Sequence, residues 1–178
     1  MSTECAAKGT TVSVLFVCLG NICRSPMAEG VFRHTTKFEQ PGAHPQIKAV
    51  DSCGTGAYHE GDSPDSRTMS VLQKHGINDY EHAARKFQNT DFADFDYIFA
   101  MDGENKGHLD RARRRLISKG DLDESKAGKV MLFGYYGGKG NEEVVDPYYG
   151  ARNGFDVAYE QMVRFTTGFL KALEDDAR

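Results

Sequence analysis

The stretch Val14-Leu15-Phe16-Val17-Cys18-Leu19-Gly20-Asn21-Ile22-Cys23-Arg24-Ser25-Pro26 constrains this chain more than any other. Four apolar residues in succession, Val14 to Val17, read as a strand covered on both faces, the pattern of a parallel sheet. Ser25 is a favourable N-cap and Pro26 suits the first helical position, so a helix is expected to start there. Between them, Gly20 and Asn21 are the residues that best tolerate positive φ. A loop running from a strand end into a helix N-terminus can curl until its N–H groups converge on one point. That point is an anion site.

The rest of the chain repeats the strand-then-helix pattern. Met27, Val31 and Phe32 stand at helical spacing and are expected to face the sheet, and the stretch from Lys37 to Gln46 reads as a loop. Ile47 to Val50 reads as a second strand, with Asp51 and Ser52 just past its end and a Gly-rich loop over Gly54–Ser63. Ser63-Pro64 is expected to open a helix that runs through Met69 and Leu72 and stops at Gly76. Tyr97 to Met101 and Val130 to Phe133 are the third and fourth strands, with Asp102 as the cap of the intervening helix. Phe155, Tyr159, Met162, Val163, Phe165, Phe169 and Leu173 outline a long closing helix. Alternation of this kind gives right-handed crossovers and an α/β fold with helices on both faces of a parallel sheet. Ligands of such sheets bind at the carboxyl ends of the strands, so Cys18, Ser52 and Asp102 are expected to share one rim.

With 178 residues the chain is long enough for one full core, and no repeat or linker divides it. The polar segment 1–11 is expected to be a disordered tail, carrying Cys5 as an ordinary thiol. A net charge of −4 argues against general nucleic-acid or membrane-surface binding. Four cysteines without a secretion signal point to a reducing, cytoplasmic setting. The basic run Arg111-Ala112-Arg113-Arg114-Arg115 reads as a solvated helix face rather than a polyanion patch.

The residue types in the loop say what its anion site serves. Converging N–H groups and a helix N-terminus favour Cys18 as thiolate. Arg24 offers a planar fork of donors that matches two oxygens of a phosphate. Together they describe a nucleophile seated under a bound phosphate, with Leu19, Gly20, Asn21, Ile22, Cys23, Arg24 and Ser25 around it. The string Val-Cys-Leu-Gly-Asn-Ile-Cys-Arg-Ser-Pro closely resembles that of the low-molecular-weight protein tyrosine phosphatases. The resemblance implies a domain over 12–178 with a four-stranded sheet in the order 2-1-3-4. It also implies hydrolysis of phosphotyrosine and aryl phosphates through a phosphocysteine, with phosphate-like oxyanions as inhibitors and without cofactor or metal.

Further positions follow from the same resemblance. Asp146, in Asp-Pro-Tyr-Tyr-Gly, matches the general-acid loop; taken alone, an Asp-Pro pair is more often a turn. Tyr58, Tyr148 and Tyr149 match pocket walls, a slot suited to a planar ring, while His59 departs from the acidic or amide residue often found beside Tyr58. Asn21, Ser25, Ser52 and His82 correspond to a network behind the loop; a lone histidine is otherwise a surface residue. Cys23 is either a resolving thiol for oxidised Cys18 or a small apolar filler, and Cys53 reads as inert core. Two other readings share the loop: an arsenate-reductase-type redox enzyme and a non-catalytic phosphate-binding module. The first needs a cysteine relay that is missing after Cys53; the second leaves Cys18 with Asp146 unexplained. An arginine phosphatase is disfavoured because that branch of the family usually has threonine where Ile22 stands.

Overall fold

In the computed structural model, which describes residues 10–177, four parallel strands form one sheet in the order β2-β1-β3-β4. The strands are β1 (Val12–Cys18), β2 (Ile47–Gly54), β3 (Tyr97–Ala100) and β4 (Lys129–Leu132). The helices are α1 (Arg24–Thr36), α2 (Ser66–Lys74), α3 (Asp91–Asp94), α4 (Gly103–Lys119) and α5 (Gly154–Asp176), with a 3₁₀ turn at Glu124–Lys126. The expected fold class and strand order are both observed. The tail expectation, with Cys5, falls outside the described residues apart from Thr10 and Thr11, which are exposed.

Strand β1 is buried along its whole length because its alternate side chains enter two different cores. Val12, Val14 and Phe16 pack with α1, α2 and α5, where Phe16, Phe32, Phe99, Phe133, Phe165 and Phe169 are fully buried. Truncating one such ring to alanine typically costs about 3–5 kcal/mol. Leu15 and Val17 face the other way, onto Phe92, Ile98 and Leu109 beneath α3 and α4. Helices therefore cover both faces. Cys53 lies fully buried in this second core, the place its sequence reading gave it.

Several boundaries differ from the sequence reading, each for a local reason. Helix α1 starts at Arg24, with Cys23 as N-cap and no side chain capping it, because the Ser25 hydroxyl is turned toward the Cys18 loop. Helix α2 starts at Ser66 rather than Ser63, because the Asp65 carboxylate accepts from Arg67 N and caps it. Strand β2 extends to Gly54, paired with Cys18, so Ser52 lies inside the strand opposite Phe16 and not beyond its end. On α5, Val163 is exposed while the neighbouring Met162 and Phe165 are buried. The short helix α3 was not foreseen. Asp102 does cap α4, accepting from Asn105 N at 2.7 Å.

Candidate active site

The carboxyl end of β1 opens onto a cavity of about 360 Å³ lined by Cys18, Leu19, Gly20, Ile22, Cys23, Arg24, Tyr58, His59, Asp146, Tyr148 and Tyr149. Residues from the first strand and from the segment before α5 thus meet at one rim. Cys18 is the last residue of β1 and is nearly buried. Its Sγ lies 3.0 Å from Ser25 Oγ and accepts from Asn21 N at 3.3 Å. The loop closes back on β2 through Thr55 N to Cys18 O and Gly56 N to Leu19 O. Gly54 permits this approach: a Cβ there would stand 2.7 Å from Leu19 O.

Asn21 is left-handed, with φ of 56°, whereas Gly20 is not among the positive-φ residues. The strain at Asn21 is offset by its side chain, which is buried and fully bonded. Its Nδ2 donates to Ser25 Oγ at 2.9 Å and Ser52 Oγ at 3.0 Å. Its Oδ1 accepts from Arg85 N at 2.9 Å and from His82 Nε2 at 2.8 Å. Because Oδ1 can only accept, Nε2 of His82 carries a proton. His82 is therefore not a surface residue: burial pushes its pKa down, and Nδ1 sits 3.3 Å from Glu29 Oε2. That same oxygen accepts from Ser52 Oγ at 2.7 Å and Tyr80 OH at 2.9 Å. Burial pushes the Glu29 carboxyl up to about 7.

Arg24 is buried, and its charge is matched on two sides. Nη1 donates to Asp102 Oδ2 at 2.5 Å and to Val144 O at 3.1 Å, and Nη2 donates to Asp146 Oδ2 at 3.3 Å. Desolvation opposes the guanidinium charge, but Cys18, Asp102 and Asp146 outweigh it and hold the Arg24 pKa above its ordinary value. Val144 N bonds Met101 O at 2.8 Å, and Glu143 Oε1 accepts from Gly103 N at the head of α4. Glu142 forms a forked pair with Arg164 of α5 at 2.7 and 2.9 Å. Asp146 itself accepts from Tyr148 N at 3.0 Å, the local turn expected of Asp-Pro. Tyr148 and Tyr149 meet edge to face, 4.8 Å between centroids, and Tyr149 and Tyr58 are 86% and 76% exposed. They form a rim rather than a closed slot.

Cys23 is buried, and its thiol is pushed up to about 12 by desolvation and by the negative charges of Asp65, Cys18 and Asp146. Burial likewise raises Cys53 well above the ordinary thiol range. Glu29, Asp51 and His82 place donor atoms within 4.8 Å of one another, the spacing of a metal site. Those atoms are already committed, Asp51 to Arg85 Nε and to Ser52 N, the others as above. Arg111, Arg114 and Arg115 are exposed on α4, as a solvated face should be.

Sequence reasoning missed Glu29, Tyr80, Arg85, Asp51 and the Val144 carbonyl. Glu29 carried a usable signal, a carboxylate inside the apolar face Met27-Ala28-Glu29-Gly30-Val31. The Val144 carbonyl carried none, since a backbone oxygen has no signature in sequence.

Residues 13–178 match the family model described as low molecular weight phosphotyrosine protein phosphatase. A relative of that name from Schizosaccharomyces pombe is 48% identical over 163 residues, covering 91% of this chain and 97% of its own. A protein tyrosine phosphatase from Entamoeba histolytica superposes with a TM-score of 0.77 at 32% identity, covering 93% of this chain and 99% of its own. A Drosophila arginine phosphatase does so with a TM-score of 0.73 at 35% identity, covering 90% and 96%.

Proposed function

Because the chain belongs to the low molecular weight phosphotyrosine protein phosphatase family, we propose that it hydrolyses phosphotyrosine and small aryl phosphates through a phosphocysteine. The observation that carries this reading is the shared cavity, in which the Cys18 sulfur and the Asp146 carboxyl flank the Arg24 guanidinium.

In the first step the Cys18 thiolate attacks phosphorus and the bond from phosphorus to the aryl oxygen breaks. Asp146, protonated, gives its proton to the departing oxygen. Arg24 and the N–H groups of the loop from Leu19 to Ser25 neutralise charge on the three remaining oxygens. In the second step the Asp146 carboxylate takes a proton from water, the water oxygen attacks phosphorus, and the sulfur–phosphorus bond breaks. Ser25 Oγ, 3.0 Å from Sγ, donates to the departing thiolate and makes it a better leaving group. Inorganic phosphate or vanadate competes for the same cradle. Tyr58, Tyr148 and Tyr149 flank the aryl ring of a phosphotyrosine peptide.

Cys23 serves as the resolving thiol when Cys18 is oxidised. Part of what holds its proton is the charge of Cys18, and that charge disappears when the sulfur becomes a neutral sulfenic acid. The described cysteines are all free, and no helix among the described residues is long and apolar enough to cross a membrane. A reducing cytoplasm suits a free thiolate nucleophile.

The test is Cys18→Ser. Hydrolysis of p-nitrophenyl phosphate should fall to background while phosphate binding, measured by calorimetry, persists; retained turnover would refute the mechanism. Assays on phosphotyrosine, phosphoserine and phosphoarginine peptides fix the substrate class. Ile22, packed against the core beside the cradle, is expected to favour the first.

A further inference from the structure

We infer that Arg67 is a positioning residue for Asp146, tying the acid's segment to the loop that carries Cys18. The inference rests on Asp146 being the general acid. Arg67 is outside the cavity lining and touches no reacting atom. It stands instead in a continuous chain of contacts. Asp65 N donates to Ile22 O at 2.8 Å, anchoring the start of α2 on the Cys18 loop. The Asp65 carboxylate then takes Arg67 Nε and Nη2, each at 2.9 Å, fixing the guanidinium plane in a fork. The guanidinium carbon lies 4.9 Å from the centroid of Tyr148 and 4.6 Å from that of Phe155, within cation–π range of both. Tyr148 N donates to Asp146 Oδ1.

The need for such a clamp follows from the chemistry. Between Asp146 and α5 the backbone bonds are short-range, Gly150 N to Pro147 O and Gly154 N to Ala151 O. The other side-chain partner of Asp146 is Arg24 Nη2. That donor is required by phosphate during reaction, and a protonated Asp146 has no charge to pair with it. The acid is thus released from Arg24 at the moment its position matters most. Arg67 grips the ring two residues further on and is unaffected by either event. Phe155, at the head of α5 and buried, supplies the fixed surface on the guanidinium's other contact.

The experiment compares Arg67→Ala, Arg67→Met, Asp146→Ala and the two Arg67 changes combined with Asp146→Ala. Arg67→Met keeps an apolar stem over the rings, and the Asp65 cap on Arg67 N survives in every variant, so a folded protein is retained. Melting temperature is recorded for each. Substrates are p-nitrophenyl phosphate, whose leaving group barely needs protonation, and phenyl phosphate, whose leaving group does. A small displacement of a reacting group costs heavily, so the Arg67 variants should lose about tenfold in kcat on phenyl phosphate, with KM and p-nitrophenyl phosphate turnover little changed. In the Asp146→Ala background the same changes should add no further loss. Equal losses on both substrates, or a full additional loss without Asp146, would overturn the role assigned to Arg67. If Asp146→Ala alone shows no leaving-group dependence, the acid assignment itself fails and the Arg67 role falls with it.

Discussion

Behind Cys18 the side chains that shape the loop are buried and bonded to one another, whereas in front of it Asp146 is 33% exposed and opens a stretch whose backbone bonds up to α5 are short-range. The first half, Asn21 with Ser25, Ser52, His82 and Glu29, draws on α1, β2 and two loops and leaves the Asn21 side chain no free donor or acceptor. The second half has Tyr148 and Tyr149 at a solvent-facing rim. The contrast matches the two tasks proposed for these halves. Stabilising charge on a transferring phosphoryl group works best with donors that need no reorganisation. An acid that turns into a base, and that must admit water between steps, works on a segment that can yield.

Asp146→Ala gives the largest separation of the halves. General acids commonly contribute 10²–10⁴-fold, so kcat on phenyl phosphate should fall about 10³-fold while the urea midpoint of unfolding stays put. Asn21→Ala should do the reverse in character. It forces alanine into a left-handed turn and strands Arg85 N and His82 Nε2, at a cost of about 3 kcal/mol in stability. Its activity loss, about 10²-fold from a distorted cradle, should be the same for good and poor leaving groups. A leaving-group-dependent loss in Asn21→Ala would erase the distinction drawn between the two halves.

Smaller effects sharpen the picture. With its thiol held up to about 12, Cys23 should resist iodoacetamide at pH 7 under conditions that label Cys18, as peptide mapping will show; peroxide should then link the two. Glu142 tests the tie between the segment leading to Asp146 and α5. Arg164 and Gln161 hold its carboxyl down to about 2, below the unfolded value. The pair's contribution is therefore present above about pH 4.5 and is lost as pH falls toward 2. Because the pair is close to solvent, Glu142→Gln should cost under about 1 kcal/mol at pH 7. The difference from the parent protein should vanish in urea titrations near pH 2.

Most of the fold was legible because its central strand is unambiguous: Val14–Val17 could face nothing but protein on both sides, whereas the fourth strand, at the sheet edge, is only half-buried. The helix starts were misplaced where a polar side chain does something other than cap. Ser25 serves the Cys18 loop, and Asp65 takes the cap that Ser63 was expected to provide. The cavity's lining was legible from three segments far apart in the chain, around Cys18, Tyr58 and Asp146. What supports that lining was not, because Glu29, Tyr80 and Arg85 act through contacts that depend on how three elements meet in space.

The contacts that Ser52 Oγ, Tyr80 OH and His82 Nδ1 make with Glu29 Oε2 have a consequence for the cradle. The hydrogen that His82 gives to Asn21 Oδ1 sits on Nε2, the ring nitrogen away from that carboxyl, so it stays in place in either charge state of Glu29. The outline of the cradle is thereby insulated from a titration just behind it.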